Sequence, residues 1–463
     1  MRGILLGLIF FSLLPLIFIK GPFVGILMWF WISLMAPQFI VYGFFSRFQY
    51  ALIVGVATLL ALLFSREPRL PPRDKTTTLL VLFLIWISIT SWTTDAMYGG
   101  WLVPEKMLLM TLVAYALTYT RQRLQQLIVV CTLSVGYYGF RGGVFTLLHG
   151  GNYRVFGPTN SMIGDNNALG AALVMFLPLL FYLRALYRET LLKWPLSALI
   201  GSTAIAAIFT YSRGALLAIV AMSLVTVIGS RRRVLGAALL VAATAAGWHF
   251  APPGWLARME TINTYQQDAS AESRLYMWRL SWAMALKHPI LGTGVGWSYA
   301  VDDVNRQLAD SGLHWPFGPS TEVGNVQFSP DNPPPLVYPR VAHSIWFETL
   351  SDHGFPALVL FCAILLSVAI DARWLIRYAR GHPELVWADQ LGRLLQASLI
   401  GYAVAGTFAS MNLYDGFYVI VIIAAAARRV VAGELPKLAA TAGRDAAPAV
   451  ARPRGSFAPR PIG

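Results

Sequence analysis

Apolar runs long enough to cross a bilayer recur along almost the whole chain, and that recurrence leaves few folds open. Stretches near 48–64, 78–94, 105–120, 126–148, 167–184, 195–211, 214–229, 234–250, 355–376, 391–410 and 414–429 each read as a membrane span. Upstream, 3–19 and 22–35 are apolar too, broken at Lys20-Gly21-Pro22. No small-residue cleavage site follows the first stretch, so it reads as a retained membrane segment rather than a signal peptide. Composition agrees: 56% of residues are hydrophobic, 13% are charged, and the mean hydropathy is +0.58. In hydrocarbon every backbone polar group must be satisfied internally, which at this span length means helices. The expectation is an all-α polytopic membrane protein of about 12 transmembrane helices. That count takes 3–19 and 22–35 as one broken crossing, favoured by Arg2 beside the start; a hairpin there gives thirteen.

Charge sets the orientation. Arg66, Arg69, Arg73 and Lys75 share one connection, Arg121 and Arg123 another, and Arg184, Arg188 and Lys193 a third. Arg231, Arg232 and Arg233 fill a fourth, and Arg373, Arg377 and Arg380 a fifth. Every second connection is basic, so these are expected inside and the alternate ones outside. The net charge of +14 then belongs to the inner face and the tail, and no nucleic-acid motif accompanies it. Four regions follow: a transmembrane bundle over 1–250, a long external loop over 251–342, further transmembrane helices over 343–429, and a cytoplasmic tail over 430–463. The Ala/Pro/Arg-rich tail is expected to be disordered and to touch anionic lipid. Cys131 and Cys362 both fall in apolar spans, so no disulfide and no thiolate metal site is expected.

A loop of about 90 residues is far longer than a helix connection requires, which marks 251–342 as functional. It holds six Lys/Arg against eight Asp/Glu and is close to neutral. Within it, Leu275, Trp278 and Trp282 share a helical face, as expected of a helix lying along the membrane surface. The run Gly292-x-Gly294-x-Gly296 has no strand-to-helix context and reads as a turn, not a dinucleotide fingerprint.

Candidate polar chemistry gathers on the external side. Arg141, in Phe140-Arg141-Gly142-Gly143, sits at the rim of an apolar segment, where an arginine either meets a partner or snorkels to the interface. Asp165-Asn166-Asn167 can cap the helix that follows or contact substrate. Arg213, in Thr210-Tyr211-Ser212-Arg213-Gly214, opens a helix, where a cation opposes the macrodipole unless an anion binds there too. His343 opens another helical stretch, and a neutral imidazole can take a proton from a sugar hydroxyl. A histidine that only caps a helix start is the alternative, and His353, His288, His314 and His149 read as ordinary external histidines.

Ser212-Arg213-Gly214, then Ser273-Arg274 with Trp278, Pro289 and the glycine run, then His343-Ser344 with Gly354, resemble the O-antigen ligase/polymerase superfamily. Gly157-Pro158-Thr159-Asn160 through Asp165-Asn166-Asn167 is similar to WaaL-type ligases and their exosortase-associated O-glycosylation relatives. The resemblance covers roughly 130–415; upstream it extends to hydropathy alone. It implies a GT-C-like membrane glycosyltransferase of the bacterial inner membrane, its large loop periplasmic and containing short helices. Such enzymes transfer glycan from undecaprenyl pyrophosphate to the core sugar of lipid A-core. The family's essential histidine falls on His343 and its donor-binding arginines on Arg213 and Arg274.

The early external connections hold no Asp-x-Asp pair, so no metal or other cofactor is expected, and arginines would clamp the leaving diphosphate instead. Arg141, Arg154 and Arg340 are second choices for that clamp. Asp165, Asn166, Tyr276, Trp278, Trp297 and Trp315 are possible glycan or acceptor contacts. An O-antigen polymerase or a protein O-oligosaccharyltransferase would use similar groups with another acceptor. A transporter or flippase would need charges along a midplane pathway, and the spans here are nearly free of them.

Overall fold

The computed structural model describes residues 2–93, 102–228, 251–260, 269–297 and 341–445. It also describes 234–235, 237–238, 241–242, 249, 304, 322–323 and 326–327. The chain is a helical polytopic membrane protein. Seven helical stretches among the described residues are long and apolar enough to cross a membrane: Arg2–Ile19, Pro22–Phe39, Lys75–Thr93, Arg121–Leu148, Asn166–Leu186, Ile345–Ala379 and Asp415–Pro436. Shorter apolar helices run over Tyr50–Phe64, Lys193–Ile208 and Arg213–Ile228. Most of the expected 234–250 span lies outside the described residues, as does Trp315.

The first segment is broken into α1 (Arg2–Leu13) and α2 (Leu16–Ile19), and α3 (Pro22–Met35) follows. Gly21, at φ 105°, makes the turn, and Pro22 opens α3, where its missing N–H costs nothing. Expected as one broken crossing, this region is instead a hairpin. Gly3 and Gly7 of α1 lie against Tyr42 and Phe45, which follow α3, so the chain must double back between them. The one-crossing reading is corrected, and the first residues lie at the same end as Met35.

The remaining helices alternate between two ends. They are α4 (Tyr50–Phe64), α5 (Lys75–Thr93), α6 (Leu102–Leu117), α7 (Arg121–Leu148), α8 (Asn166–Leu186), α9 (Lys193–Ile208) and α10 (Arg213–Ile228). Two lie in the long loop, α11 (Pro253–Glu260) and α12 (Ala269–Lys287). The last three are α13 (Ile345–Ala379), α14 (Val386–Gly406) and α15 (Asp415–Asp445). The most enclosed are α8 and α15, with 78% of each apolar window buried, consistent with helices apolar on all sides. A two-residue antiparallel ladder also pairs Glu322–Val323 with Val326–Gln327.

One end of the bundle is basic and cross-linked by ions. Buried Asp371 on α13 binds Lys75 of α5 and Arg428 of α15, each at 2.7 Å. Glu67 accepts two N–H bonds from Arg123, at 2.6 and 3.0 Å, and one O–H bond from Tyr119 at 2.9 Å. The Arg123 hydrogen bonds hold the Glu67 carboxyl below the usual carboxylate range. The helical part of the expected tail is a second difference. Residues 430–445 continue α15 as helix, with Pro436 inside it.

At the opposite end α13 is two helices in series. Its 35 residues would span about 52 Å as one rod, well beyond the ~30 Å hydrocarbon core. Gly354, at φ 78°, breaks it, and Pro356 keeps the break from healing. The break strands backbone groups, and the 289–294 segment takes most of them. The N–H groups of Thr293 and Gly294 donate to the carbonyls of Ser351 and Asp352 at 2.8 and 2.9 Å. The Phe355 N–H donates to Pro289 at 2.9 Å, and the Trp86 indole donates to the His353 carbonyl at 2.9 Å. The glycine run is thus a strap that presses backbone on backbone. A Cβ at Gly354 would fall 2.2 Å from the Ile290 carbonyl oxygen, and one at Gly292 2.5 Å from that of Asp352.

Two predictions follow from this architecture. Gly354→Ala loses at least about 1–2 kcal/mol from its backbone angle alone, before the clash is added. Gly201→Ala, in α9 with open space around it, is neutral or slightly stabilising. Thermal unfolding of detergent-solubilised protein reads both, and equal midpoints would refute the strap. For Glu67 the folded pKa is depressed, so its stabilisation is complete above about pH 4.5 and is lost as pH falls through the folded value. Glu67→Gln should therefore lower the midpoint at neutral pH, with the difference from wild type closing on acidification.

Candidate functional site

The end carrying the strap gathers most of the residues singled out in the sequence. Asp165 caps α8, accepting from the N–H groups of Asn167 and Ala168 at 2.7 and 3.3 Å. Asn166 donates to the Thr210 carbonyl at 2.8 Å, and the Ser212 hydroxyl lies 2.9 Å from Asn167 Oδ1. These contacts tie the α8 start to the break between α9 and α10. Both Asp165 and Asn166 thereby serve local structure.

Tyr211 turns that break with a left-handed φ of 59°, held by its hydroxyl donating to the Gly151 carbonyl at 2.9 Å. Arg213 is the first residue of α10, as its place before the apolar run implied. Gly214 lies so close to Phe408 that a Cβ there would sit 2.9 Å from the Phe408 Cβ. Phe408, in the α14–α15 connection, in turn meets Trp278 of α12, ring centroids 6.0 Å apart. Trp278 stacks on Phe347 at 5.3 Å and donates its indole N–H to the Ala342 carbonyl at 2.9 Å. That peptide immediately precedes His343. Arg274 sits one turn before Trp278, on the same helical face.

Phe408 is therefore the hinge of the arrangement. The start of α10, the Arg274–Trp278 face of α12 and the segment leading into His343 all converge on it. Nothing in the residue's character marks it, since an aromatic after Gly406-Thr407 looks like any interfacial ring. Trp346 completes the attachment, donating to Thr407 Oγ1 at 2.9 Å.

His343 has φ 48°, in the left-handed region that β-carbon-bearing residues seldom occupy. Ser344 then takes extended geometry as the N-cap, and α13 begins. Half-buried between the Trp278-fixed peptide and the cap, His343 is set by the backbone before any side-chain contact is counted. Asn160 and Tyr211, at φ 66° and 59°, place the same conformation in two other motifs of this end.

Three expectations change here. Tyr276 and Trp297 are buried, at 6% and 4% exposure, in a small core with Met277, Leu280 and Met284. Burial pushes the Tyr276 hydroxyl up to about 12, and the Trp297 indole donates to Ser351 Oγ at 3.1 Å. Both rings pack into that core. His353 is not an exposed histidine but fully buried, with Nδ1 2.6 Å from the Thr90 hydroxyl. Arg340 lies outside the described residues. Glu348 and Asp352, on successive turns of α13, were not singled out; Asp352 is buried and Glu348 Oε2 is sealed from solvent.

Arg141 and Arg154 are brought together by α7 and the loop that follows it. They line one cavity of about 160 Å³ with Tyr138, Phe145 and Phe156. The Arg154 guanidinium also lies 5.9 Å from the Tyr211 ring centroid. Gly143 lets α7 approach this close to α9, since a Cβ there would fall 2.3 Å from the Ser202 carbonyl oxygen.

Helices, break and strap define a polytopic membrane protein whose arginine and histidine candidates cluster at one end. Residues 196–362 match the family model described as O-antigen ligase, which supports placing the chain in the O-antigen ligase superfamily. Residues 1–188 match a family of unknown function, DUF5935. No curated protein matches the chain. The ligase match contains Arg213, Arg274 and His343, and supports a membrane ligase- or polymerase-type function on lipid-linked glycans. Arg141, Arg154, Asp165 and Asn166 fall in the other matched region.

The buried histidine yields a structural prediction. His353→Ala removes the contact with the Thr90 hydroxyl and opens a cavity, so it should cost about 2–4 kcal/mol. Exposed His149→Ala should leave the melting midpoint unchanged. Equal midpoints for the two variants would contradict the burial.

Proposed function

We propose that the chain is an O-antigen ligase of GT-C-like architecture in the bacterial inner membrane, working at the periplasmic face. Glycan passes from undecaprenyl pyrophosphate to a sugar hydroxyl of lipid A-core. What supports this reading is the convergence on Phe408 of the α10 start, the Arg274–Trp278 face and the His343 segment. All but Phe408 lie within the ligase-matched region.

In this reading Arg213 and Arg274 hold the donor diphosphate, with Arg141, Arg154 and Arg340 as second choices. Arg213 adds its guanidinium to the positive end of the α10 dipole, a natural seat for an anion. His343 orients the acceptor hydroxyl and takes its proton. The hydroxyl oxygen attacks the anomeric carbon in line, the new glycosidic bond forms, and the bond to the diphosphate oxygen breaks. Undecaprenyl pyrophosphate leaves with the electron pair, its charge met by the arginines, and configuration at the anomeric carbon inverts. No metal is needed for that step where two guanidinium groups supply the charge. Trp278 places His343 through the Ala342 peptide.

The test is in vitro transfer from undecaprenyl-pyrophosphate glycan to rough lipopolysaccharide in EDTA. His343→Ala should lose on the order of 10²–10⁴-fold in rate. Arg213→Ala and Arg274→Ala should each weaken donor use by about 1.5–3 kcal/mol, roughly 10- to 150-fold. Full activity in either arginine variant removes that residue from the donor site. Folded wild type that transfers only to lipid-linked glycan or to a pilin-like protein would overturn lipid A-core as acceptor.

A further inference from the structure

The Arg141–Arg154 cavity lies outside the ligase-matched region and on the other side of the Tyr211 break from Arg213. Tyr211 faces Gly151 and Arg154, whereas Gly214, just beyond the break, faces Phe408. The 160 Å³ cavity is roughly ten times what one water requires, so it has room for a phosphate group. Among the described residues neither arginine has an acidic partner. The Arg154–Tyr211 contact, 5.9 Å from guanidinium to ring centroid, brings no counter-charge. Two arginines from separate elements, converging on one cavity without a counter-charge, form an anion site.

The surface of α7 says what kind of anion. Leu133, Tyr137 and Phe140 are 42%, 37% and 54% exposed, and they form a stripe that leads along the helix to Arg141. Such a stripe in a membrane span faces acyl chains. A snorkelling arginine needs neither a cavity nor a second arginine from the following loop. We propose that this cavity binds the phosphate of a membrane lipid at the His343 end, at a site separate from Arg213 and Arg274. An anionic phospholipid and a polyprenyl phosphate carry the same recognition chemistry.

The test uses full-length protein in detergent micelles, titrated separately with phosphatidylglycerol, undecaprenyl phosphate and uncharged diacylglycerol, with bound lipid counted by native mass spectrometry. Because it reads binding alone, it does not depend on transfer activity. In an Arg213→Gln/Arg274→Gln background one phosphate-bearing lipid should remain bound. Adding Arg141→Gln or Arg154→Gln should then weaken it by on the order of tenfold. Retention of phosphatidylglycerol identifies a phospholipid, and retention of undecaprenyl phosphate alone identifies the carrier. Arg154 lies in an exposed loop, so its variant carries the test even where Arg141→Gln unfolds. Loss of all bound lipid in the Arg213/Arg274 background, unchanged binding in the cavity variants, or equal binding of diacylglycerol would overturn the proposal.

Discussion

The pairing of the 289–294 strap with the Gly354 break organises the rest of this end of the molecule. A helix interrupted near a membrane leaves N–H and C=O groups without partners, and lipid offers none. Here Thr293, Gly294, Pro289 and the Trp86 indole take them. The consequence is positional: α12, which leads into the strap, is held against the first half of α13. That contact sets Arg274 and Trp278 over the segment that carries His343. Glycine at 292 and 354 follows from the closeness of two backbones and from positive φ, with no ligand required. A motif that looks like a binding loop is thus a joint.

His343 depends on the same joint from its other side. A histidine at φ 48° is strained, and the strain persists only where the surroundings over-determine it. The Trp278 bond to Ala342 fixes the peptide before it, and the buried Ser344 cap fixes the residue after it. Trp278 is itself wedged between Phe347 and Phe408. Loosening any of these contacts would let the backbone relax toward an ordinary φ and carry the imidazole with it.

Much of this was legible in the sequence, for identifiable reasons. Span positions follow from length and hydropathy, so α4, α5 and α7–α10 fall within a few residues of expectation. The Lys20-Gly21-Pro22 break and the Asp165 cap follow from residue chemistry that acts locally. What failed was non-local. The hairpin of α1–α3 is visible only through Gly7 lying on Phe45, and the burial of Tyr276, Trp297 and His353 depends on what folds over them. Phe408 is the clearest case. Its importance is to be where three elements meet, which no local pattern encodes.

The distribution of charge weighs on the choice between a transferase and a transporter. A carrier needs ionisable or polar groups partway through the membrane, on broken helices that open to alternate sides. Among the described residues the ionisable groups of the spans lie toward the two ends. Asp371, Lys75 and Arg428 close the basic end as an ion-paired cluster, which costs less than leaving any one of them alone. Glu348, Asp352, Arg141, Arg213 and His343 belong to the other end. The broken helix α13 has its break sealed by the strap rather than lining an open path. A sealed break, a strained histidine, and Arg141 and Arg154 with no acidic partner among the described residues favour chemistry at a membrane surface over passage through it.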